Sequence, residues 1–284
     1  MSRIGMWFDG GGEFGYGNIR RSIELGRVLA DRGHQVDLVP LSPRASGLCP
    51  PTPAGGGVPE IIVLDVPYCG DEAVSRARET GARVAALDFD GVEPPDLVVS
   101  LQPVRRVPEQ SRFLCGVEYA IIRGEIRALG TGHETGDGIL VIVGGGDQDG
   151  LAARIIERLP DLPVCVVQGP AGVPLRFDRA DVRVVVNPPD LPELMARCAW
   201  SVSTGGTTML ELLCLGKAVH VAPRTEAETI FARRFDAAGA LLGIGLDRLR
   251  PPSPEAIAAC EQRGPQLVDG RGCERIAAEV ETLL

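Results

Sequence analysis

Short apolar runs alternate with amphipathic stretches along almost the whole chain, and the spacing predicts βαβ units and parallel sheets. RIGMWF (3–8) has the length and content of a buried strand, and QVDLVPL, EIIVLDV, ARVAALDF and DLVVSL follow as four more, two of them ending in aspartate. IRRSIELGRVLADRG sets Ile19, Ile23, Leu25, Val28 and Leu29 near one helical face, and Gly33 stops that helix. The pattern lapses between residues 123 and 138, where GTGHETGDG is polar and glycine-rich, and restarts with GILVIVGGGDQDG. LPVCVVQG, VRVVVNP, AWSVST and AVHVAP then read as strands. DLPELMARC, TTMLELLCLGK, EAETIFARRFDAAG and the terminal GCERIAAEVETLL read as helices. The expectation is two doubly wound α/β domains, residues 1–130 and 138–284, with no repeat of fixed period.

Bulk properties narrow the function. The chain has 284 residues, enough for two cores, and carries 38 acidic against 29 basic side chains, a net charge of -9. That balance argues against nucleic acid as partner, because phosphate backbones recruit clustered Lys and Arg. An anionic small ligand remains compatible, since backbone amides bind one without net positive charge. The eight cysteines are scattered without CxxC spacing, as expected of buried thiols in a reducing cytoplasm. No secretory leader and no bilayer-spanning apolar run is apparent, so the expected location is cytoplasmic. Oligomeric state is not readable from the sequence.

Three turns share one design, a strand, a glycine-rich turn and a helix: FDGGGEFGYGN, VGGGDQDG and STGGTTMLE. Glycine lets a ligand approach the backbone, and the helix that follows presents unpaired N–H groups suited to phosphate or carboxylate. Each turn is also explained by packing alone. None fits the phosphate loop GxxxxGK[ST], and the first lacks the surroundings of a dinucleotide fingerprint, which makes an NAD-dependent reading poor. In the third turn Gly205 and Gly206 leave a strand, and Thr207 and Thr208 are helix-capping residues. Glu211 then lies one turn inside the helix, either as a surface carboxylate favoured by the dipole or as an acceptor for ribose hydroxyls.

These stretches resemble, in order, the UDP-sugar hydrolase family of pseudaminic acid biosynthesis and its spore-coat-polysaccharide relatives, in the GT-B glycosyltransferase superfamily. FDGGGEFGYGNIRR is similar to that family's first turn, with Asp9, Gly15, Gly17 and Arg21 in place. GVEYAIIRGEI resembles the segment before its interdomain linker, ILVIVGGGD the opening of its second domain, and MARCAWSVSTGGTTMLELLCLGKAVHVAP its nucleotide-sugar segment. The resemblance implies two Rossmann-like domains facing a central cleft. The C-terminal one would hold the nucleotide through Gly144, Gly145, Gly205, Gly206, Thr207, Thr208 and, at the ribose, Glu211. The sugar side would be Gly15, Gly17, Arg21 and Glu228.

Two departures bear on the chemistry. Asn18 stands where the family places a water-activating histidine, and an amide takes no proton near neutral pH. Ala227 and Glu228 stand near the family's asparagine–glutamine pair; a carboxylate there repels a diphosphate unless it binds sugar hydroxyls or is neutralised by Arg224. Asp9 and Glu13 are the better-placed acids for activating a nucleophile, with loop fixation as the other reading of Asp9. Of the three histidines, His34 reads as a turn residue, His133 lies in the linker, and His220 lies late in a strand near the edge where ligands collect.

The leading expectation is a metal-independent, cofactor-free transferase that moves a glycosyl group from a nucleotide sugar, UDP-linked, to an acceptor of unknown identity, with Asp9, Glu13 and Asn18 as the catalytic group. The alternatives are hydrolysis with a carboxylate as base, and a non-catalytic nucleotide-sugar-binding partner protein.

Overall fold

The computed structural model describes residues 1–284 except 12–15, 48, 50–56, 68–69, 105–107, 133–135, 137, 145–148 and 170–173. It divides into two units, one formed by residues 1–123 with 270–284 and the other by 124–269.

The first unit is a six-stranded sheet, every neighbouring pair parallel. Its strands are β1 (Arg3–Phe8), β2 (Gln35–Pro40), β3 (Ile61–Asp65), β4 (Arg83–Leu87), β5 (Leu97–Ser100) and β6 (Arg112–Cys115), in the spatial order β2-β1-β3-β4-β5-β6. The inner strands β3, β4 and β5 are apolar runs because both faces are covered, whereas the edge strands β2 and β6 are only partly buried. On one face Ile4, Met6, Phe8, Ile61 and Val63 pack with Leu25, Val28 and Leu29 of α1 (Gly17–Asp31). On the other, Ile62, Leu64, Val84 and Ala86 pack with Val74 and Ala77 of α3 (Asp71–Arg78). A short α2 (Pro43–Ser46) follows β2.

The terminal helix, α10 (Gly272–Glu281), corrects the expected domain bounds. Its stripe of Cys273, Ile276, Ala277 and Val280 joins the α1 core, so the last fifteen residues belong to the first unit, not to a domain running from 138 to 284. Gly272 permits the approach: a Cβ there would lie 2.1 Å from the Ala120 carbonyl oxygen.

The second unit is again a six-stranded parallel sheet. It contains β7 (Ile139–Ile142), β8 (Val164–Gln168), β9 (Val182–Val186), β10 (Trp200–Ser203), β11 (Val219–Val221) and β12 (Gly243–Ile244), ordered β12-β11-β10-β7-β8-β9. Its helices are α4 (Gly124–Leu129), α5 (Leu151–Ile156), α6 (Leu191–Arg197), α7 (Thr207–Cys214), α8 (Glu226–Ala237) and α9 (Pro254–Leu267). The stretch where the strand–helix pattern lapses, 123–138, opens with a helix: α4 packs on α6 and α7. α7 packs on α9, where Gly264 lies so close to Leu213 that a Cβ would meet its carbonyl oxygen at 2.6 Å.

Each sheet has one point where the strand order reverses. In the first unit the chain goes from β1 to β2 on one side and resumes with β3 on the other. In the second it runs outward through β7, β8 and β9 and resumes with β10 on the far side of β7. The carboxyl ends flanking such a reversal form the crevice where open α/β sheets take ligands.

Candidate functional site

At the reversal point of the second unit, β10 ends at Ser203, and Thr204, Gly205 and Gly206 turn the chain into α7. The two glycines serve different ends. A Cβ on Gly205 would sit 2.8 Å from the Glu228 carbonyl oxygen, so Gly205 lets the turn press against the start of α8. A Cβ on Gly206 would meet nothing within 4 Å, so the space over the α7 N-terminus is open. Gly206 is extended, at φ -104° and ψ -154°, and no side chain caps the helix. Among the described residues none accepts a hydrogen bond from the backbone N–H of Gly206, Thr207 or Thr208. Orphan donors and the positive end of a helix dipole thus face open space, an arrangement that receives anionic oxygens. Gly144, after β7, has φ +86° and open space about its Cβ direction, while Gly145 lies outside the described residues.

The neighbouring helix start is closed. Thr225 caps α8 by accepting from the Glu228 N–H at 3.1 Å, and Glu228 Oε2 in turn accepts from the Arg224 N–H at 2.7 Å. Glu228, expected on the sugar side, is therefore a helix-capping residue. Arg224 meets it through the backbone, and its guanidinium instead pairs with Asp149 at 3.0 Å. Glu211 is 8% exposed, which rules out the surface-carboxylate reading. His220 is also structural: it is buried, its Nε2 lies 2.9 Å from the Gly245 carbonyl oxygen, and burial pushes its pKa down. It ties β11 to the turn after β12.

The reversal point of the first unit holds a charged network that sequence reasoning did not assign. Asp65, at the end of β3, is fully buried and accepts four hydrogen bonds from one face of α1. The donors are Asn18 Nδ2 at 3.0 Å, Arg21 Nε at 2.8 Å, Arg21 Nη2 at 2.6 Å and Ser22 Oγ at 2.8 Å. Arg21 Nη1 reaches on to Asp88 at 2.8 Å, and Ser100 Oγ lies 3.0 Å from the other Asp88 oxygen. Asp88 takes a φ of 52°, a left-handed conformation that aspartate tolerates better than most residues. Burial pushes the Asp65 carboxyl up, against the pull of Arg21. Burial alone would lower the Arg21 pKa, but Asp65 and Asp88 overcome it and hold it above the ordinary arginine value.

Arg21, expected on the sugar side, pairs with two carboxylates, and Asn18, expected in the catalytic group, has its amide N–H fixed by Asp65. The sequence signal for Asp65 was the aspartate ending EIIVLDV; its partners lie more than forty residues earlier, out of reach of any local pattern.

Asp9 follows β1. Its Oδ1 accepts from the Gly10 N–H at 2.7 Å and from Ser42 Oγ at 2.5 Å, and Ser42 also caps α2. The loop-fixing reading of Asp9 is thus realised, yet its Oδ2 makes no hydrogen bond among the described residues. Asp9 also borders a cleft of about 380 Å³ on the α3 face of the sheet. Gly17 begins α1, whereas Glu13, Gly15 and His133 lie outside the described residues. His34 contacts Glu281 of α10 at 3.0 Å and takes no part in either crevice's turns.

Two parallel sheets of this order define a class: the chain has the fold of the GT-B glycosyltransferases. The glycotransferase of kitacinnamycin superposes with a TM-score of 0.64 at 16% identity, over 100% of this chain and 99% of that one. Staphylococcus aureus MnaA, solved with UDP, superposes with a TM-score of 0.62 at 12% identity, over 100% and 98%. Among characterised proteins the chain is similar to the spore coat polysaccharide biosynthesis protein SpsG of Bacillus subtilis (strain 168). The two are 26% identical over 169 residues, 51% of this chain and 50% of the relative, so the chain spans about half the length of the curated relative it matches. No family model matches the chain. Among the described residues no helix is long and apolar enough to cross a membrane.

Proposed function

We propose that this protein transfers a glycosyl group from a nucleotide sugar, UDP-linked, to an acceptor hydroxyl. The observation that carries the reading is the uncapped start of α7. Unclaimed N–H groups of Gly206, Thr207 and Thr208 stand at a sheet-reversal point, with open space where a diphosphate would sit. The UDP bound by MnaA, a protein of the same fold, supports the choice of nucleotide. The likeness to SpsG supports a role in polysaccharide assembly. With seven free thiols and no paired cysteine among the described residues, we place the reaction in the cytoplasm.

In the proposed step the acceptor gives its hydroxyl proton to Asp9 Oδ2, and its oxygen bonds to the anomeric carbon. The bond from that carbon to the diphosphate oxygen breaks, and its electron pair leaves on the diphosphate. The growing negative charge meets the α7 amides, with Glu211 assigned to the ribose and no metal or cofactor taking part. Asn18 takes no proton; Asp65, itself held by Arg21, fixes its position. Gly144 borders the diphosphate, and Gly17 the sugar.

Calorimetric titration with UDP tests the nucleotide site, and its failure to bind overturns the reading. Incubation with a panel of UDP-sugars then separates the chemistries. Transfer predicts that little free sugar forms without an acceptor. Rapid release of free sugar with UDP, lost in Asp9→Asn, would instead establish hydrolysis with a carboxylate base.

A further inference from the structure

The cleft bordered by Asp9 has a composition that restricts its ligand. Its walls are Trp7, Leu41, Leu64, Val66 and Pro67, contributed by the ends of β1 and β3 and the chain beyond β2. Among the described residues its rim carries Asp9, Asp71 and Glu72 against one cation, Arg76. The Arg76 guanidinium is centred 5.7 Å from the Trp7 ring, a cation–π contact that directs it to the indole. Asp71 Oδ1 accepts from the N–H groups of Val92 and Glu93, which orders its carboxylate at the rim without neutralising it. At about 380 Å³ the space is at the small end of ligand sites, suited to one ring with a short substituent.

We propose that this cleft is the acceptor subsite and that it admits a small hydroxylated ring compound bearing no negative charge. The inference rests on the glycosyl-transfer reading above and deepens it. The apolar walls take the ring and Asp9, at one edge, takes the hydroxyl. The excess of carboxylates repels carboxylate- or phosphate-bearing acceptors, since like charges brought together across a desolvated contact are strongly disfavoured. An anionic lipid carrier is thereby excluded as the acceptor at this subsite.

Three probes of one shape test it: tyrosol (neutral), tyramine (cationic) and 4-hydroxyphenylacetate (anionic), each titrated against the full chain by saturation-transfer NMR, with UDP binding measured by calorimetry on the same sample. Tyrosol and tyramine are expected to bind saturably, with 4-hydroxyphenylacetate at least about tenfold weaker. Val66→Trp, which fills the cleft, is expected to abolish binding of all three. Glu72→Arg, a change at an exposed rim position that spares the core, is expected to narrow the gap between anion and cation. Equal binding of the three probes overturns the proposal, as does indifference to both variants. No probe binding beside intact UDP binding overturns the acceptor assignment alone. Probe binding without UDP binding overturns the glycosyl-transfer reading and the acceptor role with it.

Discussion

Asn18 donates its side-chain N–H to Asp65 at 3.0 Å, so the residue in the place of the family's histidine is held by a buried carboxylate. The same carboxylate takes Arg21 in bidentate fashion and Ser22 from the next turn of α1. Removing one partner from a buried ion pair leaves the other charge uncompensated, which costs far more than the net worth of the pair. Asp65→Ala is therefore expected to lose about 3–5 kcal/mol of stability, read as a lower urea midpoint with an unchanged slope. A loss within about 0.5 kcal/mol would show that the network is incidental.

The Asn18–Asp65 contact also predicts what a histidine would do there. In Asn18→His, a ring N–H turned to Asp65 would leave the second nitrogen as an acceptor able to take a proton near neutral pH. The variant is expected to release free sugar from a UDP-sugar faster than the parent, with activity rising through a pH near the ordinary histidine value of about 6.5. Release that stays at the parental level across that range would mean the Asn18 position does not reach the reacting sugar.

Legibility followed the range of the forces involved. Buried parallel strands advertise themselves as apolar runs, and RIGMWF matches β1 residue for residue. β6, a half-exposed edge strand of four residues, carries no such signal. α9 escaped because Gly264 and Pro265 break its helical pattern, although Gly264 is what lets it approach α7. The apolar stripe of α10 does not by itself name the sheet it covers; contact with α1, more than two hundred residues away, decides its address. At the sites the same rule holds. The Gly205–Thr208 turn is local and readable, whereas Asp65 acquires meaning only when folding brings α1 to the end of β3.

α10 is anchored at its end by Glu281, which accepts from Arg32 at 2.5 and 2.7 Å and lies 3.0 Å from His34. The Arg32 hydrogen bonds, opposed by burial and aided by His34, bring the Glu281 pKa down to about 2. A carboxyl lowered on folding stabilises above its unfolded pKa, near 4.3, and that contribution fades as pH falls toward the folded value. Glu281→Gln is expected to cost about 1 kcal/mol at pH 7, after allowance for solvent screening at this partly exposed pair. The parent–variant difference should shrink between about pH 4.5 and 2; a gap constant across that window would mean the charge is not what anchors the helix.

The proposed receipt of the diphosphate by backbone amides predicts independence from divalent ions. Turnover of a UDP-sugar in excess EDTA is expected to match the untreated rate within about twofold, whereas an ion that bridged the phosphates would make chelation abolish it. Loss of activity on chelation, restored by magnesium or manganese, would refute the amide-only assignment.

Gly205 and Gly206 are adjacent yet should respond oppositely to the same substitution. A methyl group on Gly205 would lie 2.8 Å from the backbone carbonyl of Glu228, a neighbour that cannot turn aside. Gly205→Ala is thus expected to destabilise by about 1–3 kcal/mol through displacement of α8. At Gly206 the φ of -104° suits alanine and the methyl meets nothing within 4 Å, so Gly206→Ala should cost no more than the N-cap preference for glycine over alanine, about 1 kcal/mol. The methyl would nevertheless stand in the space over the Thr207 and Thr208 amides, the site proposed for the diphosphate. UDP affinity is expected to fall about tenfold, on the order of 1.4 kcal/mol by calorimetry. Unaltered UDP binding in a normally folded Gly206→Ala protein would mean the phosphates lie elsewhere, since no rearrangement of the fold would be available to explain it.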